Sequence, residues 1–154
     1  MKKLALYIVL AVCLLGSCKS HTNNQTSSSS VVKAPVYNKD SINRKDSSGR
    51  RQGIWVVFGK NGLPLTESHY EDNCLEGTCK AFDENGNVSA EIQYNRDTVD
   101  GEYRYYSADG KPYLTKFYMM GVLKAVKRYS SDGKVQSIQV YDKDGNLIGN
   151  ESGH

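Results

Sequence analysis

Residues 77–94 read GTCKAFDENGNVSAEIQY and contain every part of a motif that recurs along the chain. A glycine opens the motif, an aromatic residue follows five places later, an Asn-Gly or Asp-Gly pair comes next, and a tyrosine closes it. A fixed period of this length indicates a repeat architecture. The landmarks keep a spacing of 24 residues at Gly53, Gly77 and Gly101, at Gly62, Gly86 and Gly110, at Tyr70, Tyr94 and Tyr118, and at Phe58, Phe82 and Tyr106.

Each unit predicts a β-hairpin, because Asn-Gly and Asp-Gly tolerate the positive φ of tight turns and strand-forming residues flank them at 54–58, 88–94 and 113–118. We expect the second glycine inside the hairpin turn and the first in the connection between units. A degenerate fourth unit follows, with its turn at Asp132-Gly133. A half-unit with the turn Asp144-Gly145 comes after it. The predicted fold is all-β: a single open antiparallel sheet, a solenoid-like meander of about nine strands without helices.

Alternation along Val88, Ala90, Ile92 and Tyr94 predicts a sheet with one more apolar face. Equivalent tyrosines should stack as a column on it, because a tyrosine ring suits a half-exposed position. The candidate binding face consists of Trp55, Tyr70, Tyr94, Tyr103, Tyr105, Tyr118 and Tyr141.

The first residues predict export. Lys2-Lys3, an apolar run over 4–15 and a small-residue cleavage site predict a signal peptide over 1–17, which is too short to span a membrane. Leu15-Gly16-Ser17-Cys18 resembles the bacterial lipobox, which implies acylation of Cys18 and anchoring in the cell envelope. Lys19 lacks the acidic character of inner-membrane retention signals, which favours the outer membrane of a Gram-negative bacterium. The alternative is an ordinary secretory leader with an incidental cysteine.

Composition divides the mature chain into three parts. Residues 18–48 are rich in Ser, Thr, Asn, Gln and Lys and predict the lipidated cysteine followed by a disordered, flexible tether, with a weak strand at 34–38 as the alternative. Residues 49–149 form the repeats, and residues 150–154 a polar tail. Removal of two lysines leaves 18 basic against 17 acidic residues, a net charge of +1, so nucleic acid is not an expected partner.

The repeats resemble the MORN-repeat variant family, including its YwqK-like antitoxin group, over residues 53–149. The resemblance implies a partner-binding repeat protein, and the antitoxin group implies neutralisation of a toxin. Cys79 stands where the motif has an aromatic residue, and residues 141–147 also resemble the YD repeat of large surface proteins. The matching segments are GIW at 53–55, ESHY at 67–70, GTCKAFDENG at 77–86, EIQY at 91–94 and GEYRYY at 101–106.

Few residues have the spacing of a chemical site. Cys74 and Cys79 flank a connection and could form a disulfide in an oxidising envelope, or remain free thiols. His21, His69 and His154 do not cluster, and Ser68 and His69 should point to opposite faces of a strand. We expect no catalytic residues, no metal and no cofactor.

Glu67 and Glu91 occupy equivalent positions two strands apart, so their carboxylates should lie about 10 Å apart, near the separation used by inverting glycosidases. A solvated charged face is the other interpretation. The sequence therefore predicts a non-enzymatic envelope lipoprotein that binds a protein, a glycan or another copy through its sheet faces or an exposed edge strand. An antitoxin or immunity protein is the alternative, and a small glycan-acting enzyme a remote one.

Overall fold

The computed structural model describes residues 33–153, which form one antiparallel sheet in the order β1-β2-β3-β5-β6-β7-β8-β9-β10-β11, with β4 paired to β3. No helix in this part of the chain is long and apolar enough to cross a membrane. The strands are β1 Arg44–Lys45, β2 Arg51–Phe58, β3 Pro64–Glu71, β4 Cys74–Leu75, β5 Gly77–Phe82, β6 Val88–Asn95, β7 Thr98–Tyr106, β8 Pro112–Met119, β9 Val122–Tyr129, β10 Val135–Tyr141 and β11 Leu147–Ser152.

The predicted fold class is confirmed, and nine of the eleven strands have six or more residues. The turns inside the hairpins share one geometry. In the second unit, Gly86 N donates to Asp83 O at 3.0 Å, and Asp83 N donates to Asn87 O at 2.8 Å. Only the glycine takes a positive φ, which is the type I turn with a glycine bulge. The same bond from glycine to the residue three places earlier closes turns at 46–49, 59–62, 83–86, 107–110, 130–133 and 142–145.

Aspartates at the first turn position are used by the turn itself. Asp83 Oδ1 accepts from Asn85 N at 2.9 Å and from Asn87 N at 2.8 Å. Asp142 Oδ1 accepts from Asp144 N at 2.8 Å and from Asn146 N at 2.9 Å. The alternating oxygen side chains of these loops are therefore explained by turn formation.

The predicted place of the first glycines is wrong. The connections are two-residue turns with both residues at positive φ, as at Asp72-Asn73 (50° and 74°) and Arg96-Asp97 (45° and 64°). The opening glycine lies further on, within the next strand. The positive φ of this glycine bends the strand locally, and the bend lets the strand continue in the sheet beside the two-residue turn. Each opening glycine pairs with the closing tyrosine of its own unit, as Gly53 with Tyr70, Gly77 with Tyr94 and Gly101 with Tyr118.

The predicted flexible tether is wrong for residues 33–48, because this N-terminal segment lies against the sheet. Ala34 N donates to Gly86 O at 2.8 Å, the ring of Tyr37 packs edge-on against Phe58 at 6.0 Å, and Ile42 is buried. Residues 34–38 form no strand. Contacts with residues far along the chain order this polar segment, and composition could not reveal them. The predicted signal peptide, Cys18 and the tether over 18–32 lie outside the described residues.

The two edges of the sheet differ. The outer edge of β2 pairs with β1, and Asn43 extends this cover: its Oδ1 accepts from Val56 N at 2.7 Å, and its Nδ2 donates to Val56 O at 3.1 Å. The predicted polar tail is wrong as far as Ser152, because residues 150–152 continue β11 against β10. Within residues 33–153, no strand covers the outer edge of β11.

Both faces bury apolar side chains, which corrects the expectation of one apolar face. Val56 and Phe82 are buried on one side, and Cys79 and Ala90 on the other. A register shift near Val88 pairs it with Phe82 and breaks the simple alternation along β6. A single layer therefore distributes its small core over two surfaces.

Candidate functional site

The seven aromatic residues of the predicted binding face lie on one side of the sheet. Ile92 pairs with Tyr103, Tyr103 with Lys116, and Lys116 with Val126, which fixes this side across four strands. We call this side the tyrosine face. It carries Trp55, Tyr70, Tyr94, Tyr103, Tyr105, Tyr118 and Tyr141.

The closing tyrosines do not stack on one another, so the predicted column is wrong in that respect. Successive closing tyrosines lie two strands apart, about 10 Å, with a strand carrying the opening glycine between them. Each closing tyrosine pairs with an opening glycine on one neighbouring strand and with an aliphatic residue on the other. Those aliphatic partners are Leu75 for Tyr70, Val99 for Tyr94 and Leu123 for Tyr118.

Other rings on the tyrosine face do touch. Tyr103 and Tyr105 are stacked, with centroids 4.3 Å apart and planes 15° apart, and Trp55 meets Tyr70 edge-on at 6.0 Å. Burial, followed by the hydrogen bond to Tyr105, raises the pKa of Tyr103 to about 12. The hydroxyl of Tyr103 therefore stays protonated at neutral pH, and its oxygen can accept a hydrogen bond from a ligand.

Cations border these rings. The Arg51 guanidinium lies 3.8 Å from the centroid of Tyr70, and the Lys116 ammonium lies 5.5 Å from that of Tyr105. Arg128 pairs with Leu114 and therefore lies on the same side of the sheet. Its guanidinium donates a hydrogen bond of 2.6 Å to Gln139 Oε1. Sequence reasoning missed these three residues, although the period of two along a strand places Arg51 on the side of Trp55 and Lys116 on the side of Tyr118.

The centre of the tyrosine face is shallow. A depression of about 200 Å³ lies between the closing tyrosines of the first two units. Burial raises the pKa of Tyr94 at its edge. The surface is open, with the form of a platform rather than a cleft. The depression is lined by Thr66, Ser68, Tyr70, Leu75, Cys79, Ile92 and Tyr94 among others.

The opposite side of the sheet, which we call the ladder face, carries alternating charges in direct register at Glu67, Lys80, Glu91 and Arg104. Lys80 Nζ lies 3.1 Å from Glu67, and Arg104 lies 3.8 Å from Glu91 and also pairs with Glu102. The two glutamates share one face two strands apart, as expected. Lys80 lies between the two glutamates, and both carboxylates form ion pairs within the ladder.

Tyrosine hydroxyls complete the ladder. Tyr106 Oη donates to Glu91 at 2.7 Å, and burial, followed by this bond, raises the pKa of Tyr106 to about 12. At the equivalent place in the preceding unit stands Phe82, which has no hydroxyl. Tyr37 of the N-terminal segment supplies one instead and donates to Glu67 at 2.6 Å.

The cysteines do not form the disulfide considered from sequence. Both thiols are free, Cys79 buried on the tyrosine face and Cys74 in the short strand β4. Burial, and next the charge of Asp97, raise the pKa of Cys74. Cys74 pairs with Glu71 at the end of β3, whereas Cys79 pairs with Ile92 of β6.

Ser68 pairs with Trp55 and His69 with Ile54, so they lie on opposite faces as expected. Within residues 33–153, no three His, Cys, Asp or Glu side chains converge in a way that could hold a metal ion.

One comparison with known proteins, the scan against family models, supports the repeat architecture. Residues 75–96 match the family model described as MORN repeat variant. No curated protein matches the chain. Among solved structures, the chain is similar to one described as the crystal structure of the GtfA/B complex bound to UDP and GlcNAc, at 14% identity and a TM-score of 0.45. That similarity covers 66% of this chain and 22% of the other.

Proposed function

We propose that this chain, one repeat of which matches the MORN repeat variant model, is a non-enzymatic binding protein of the bacterial envelope that uses the tyrosine face. One observation carries the proposal: seven aromatic side chains from six strands lie on one open surface. Half-buried tyrosine rings with protonated hydroxyls combine large contact area with hydrogen-bonding capacity. The ladder face differs, because Glu67, Lys80, Glu91 and Arg104 already form ion pairs with one another.

The experiment measures retention of the full chain, held in neutral detergent micelles, on delipidated envelopes of the producing bacterium. We expect Tyr94→Ala and Tyr105→Ala to lower the retained fraction several-fold. Lys127→Gln, on the ladder face, should leave retention within twofold. Equal retention by all variants contradicts the proposal. If one protein component of the envelope carries all the binding, the chain acts as an antitoxin-like or immunity protein, which would use the same face.

The place in the envelope rests on the lipobox-like residues that end at Cys18. Acyl chains there would hold the protein on the membrane, since each buried methylene contributes about 0.8 kcal/mol and stable anchoring needs more than one chain. The mass of the mature protein from membranes tests this, with Cys18→Ser as control. We expect a chain that begins at Cys18 and carries acyl groups which the control lacks. An uncleaved or unacylated chain would remove the proposed location.

A further inference from the structure

Charge is unequally divided between the two faces of the sheet, and we infer from this that the ligand of the tyrosine face is an anionic polysaccharide rich in uronic acids. The inference rests on the proposed function and names its ligand class. Glu67, Glu91 and Glu102 lie in the middle strands of the sheet. The side chains of all three are on the ladder face. The tyrosine face presents Arg51, Lys116 and Arg128.

These three cations are available to a ligand. Among residues 33–153, none of them pairs with a carboxylate. Their contacts are neutral: aromatic rings and oxygens of Asn73 for Arg51, an aromatic ring for Lys116, and the amide of Gln139 for Arg128. By contrast, Lys80 and Arg104 on the ladder face are neutralised by glutamates. An incoming carboxylate would therefore meet positive charge without displacing an internal carboxylate.

The spacing of the aromatic residues favours a sugar polymer. The closing tyrosines recur every second strand, about 10 Å apart, which is close to the length of a disaccharide repeat in an extended polysaccharide. A chain that crosses the strands from β2 to β9 passes six strand intervals, about 30 Å, and can place several sugars on the platform.

Cationic groups lie at both ends of this path, and aromatic groups lie between them. Arg51 lies over Tyr70 near one end, and Lys116 pairs with Tyr103 and approaches Tyr105 near the other. Rings stack on the apolar faces of sugars, while the neighbouring cations bind the carboxylates. Neutral glycans satisfy the first requirement and acidic peptides only the second, so a polyuronate is the class that meets both.

The test uses the full chain in neutral detergent micelles and fluorescent polygalacturonate oligomers, with binding followed by fluorescence anisotropy. The fully methyl-esterified oligomer keeps the sugar rings and removes the charge. Polyglutamate keeps the carboxylates without sugars, and oligo-dT keeps negative charge without pyranose rings or carboxylates. We expect binding to polygalacturonate and at least tenfold weaker binding to the other three.

Substitutions on one strand give a matched comparison. Arg128→Gln removes a cation from the tyrosine face, and Lys127→Gln removes its neighbour on the opposite face. Arg128→Gln and Lys116→Gln should each weaken binding about threefold to fivefold, as expected for a partly exposed ion pair, and Lys127→Gln less than twofold. Unchanged unfolding midpoints confirm that each variant is folded.

Three outcomes overturn the inference: no binding to polygalacturonate, equal binding of its methyl ester, or equal or tighter binding of polyglutamate or oligo-dT. Equal losses in Arg128→Gln and Lys127→Gln overturn it as well. If retention on envelopes still depends on Tyr94 and Tyr105, the proposed function stands without this ligand. If that retention is independent of both tyrosines, the proposed function fails too.

Discussion

Tyr37 donates a hydrogen bond of 2.6 Å to Glu67, thirty residues further along the chain. Its ring packs against Phe58, and the bond repeats the one from Tyr106 to Glu91 in the next unit. We expect Tyr37→Phe to lower the free energy of unfolding by about 1 kcal/mol, since the half-buried carboxylate loses one donor and keeps Lys80. Urea denaturation measures this loss.

Tyr106→Phe is the matched control, because it removes the equivalent hydroxyl within the repeats. The two losses should agree within about 0.5 kcal/mol, since the chemistry is the same. No effect of Tyr37→Phe beside a clear effect of Tyr106→Phe would mean that residues 33–48 are a free tether after all.

The repeats show which parts of the molecule a sequence can reveal. The 24-residue period and the period-2 alternation of strands together place the binding-face tyrosines on one surface. The role of Tyr37 has no such signal, because it joins distant residues outside any repeat. The turn at 46–49 lacks Asn-Gly or Asp-Gly, yet Asp46 and Ser48-Gly49 could have indicated it. The connection at Arg96-Asp97 contains no glycine, so the pattern of glycines alone cannot locate it and points to the opening glycine instead.

Asn43 acts as a substitute strand for the edge of β2, because its side-chain amide binds both backbone groups of Val56. We expect Asn43→Ala to cost about 2 kcal/mol, since two hydrogen bonds are lost at a part-buried position. The uncovered edge should also increase self-association. Urea denaturation and sedimentation velocity measure the two effects. Asn150→Ala, at an exposed position in β11, is the control and should change neither; equal changes in both variants would rule out this role for Asn43.

The aspartates of the hairpin turns should make the fold sensitive to acid. Hydrogen bonds from the turn backbone lower the pKa of Asp83, led by that of Asn87, and lower the pKa of Asp46 to about 2, led by that of Arg50. A pKa that is lower in the folded state means stability that is complete above the unfolded value of about 3.9 and is lost as pH falls through the folded value.

We therefore expect the thermal midpoint of the wild type to fall between pH 4 and pH 2. Asp83→Asn should be less stable at pH 7 and should fall less in that window, because one titrating group is gone. Asp40→Asn is the control, since the Asp40 side chain is exposed and its carboxylate accepts no hydrogen bond within the described residues. Parallel curves for all three proteins would show that the turn carboxylate does not contribute.

The opening glycines should differ in their tolerance of a side chain. Gly53 has a φ of 68° and open space where a Cβ would lie, whereas Gly101 has a φ of 110° and an added Cβ would collide with Gln93. Gln93 also accepts from Glu102 N at 2.9 Å, so it cannot move without losing that bond. We expect Gly53→Ala to cost about 1 to 2 kcal/mol from backbone strain alone, and Gly101→Ala about 3 kcal/mol or more. Urea denaturation of both variants measures the difference. Equal losses would show that the strand kink at Gly101 relaxes, and a Gln93→Ala background, which removes the collision, should bring the cost of Gly101→Ala down towards that of Gly53→Ala.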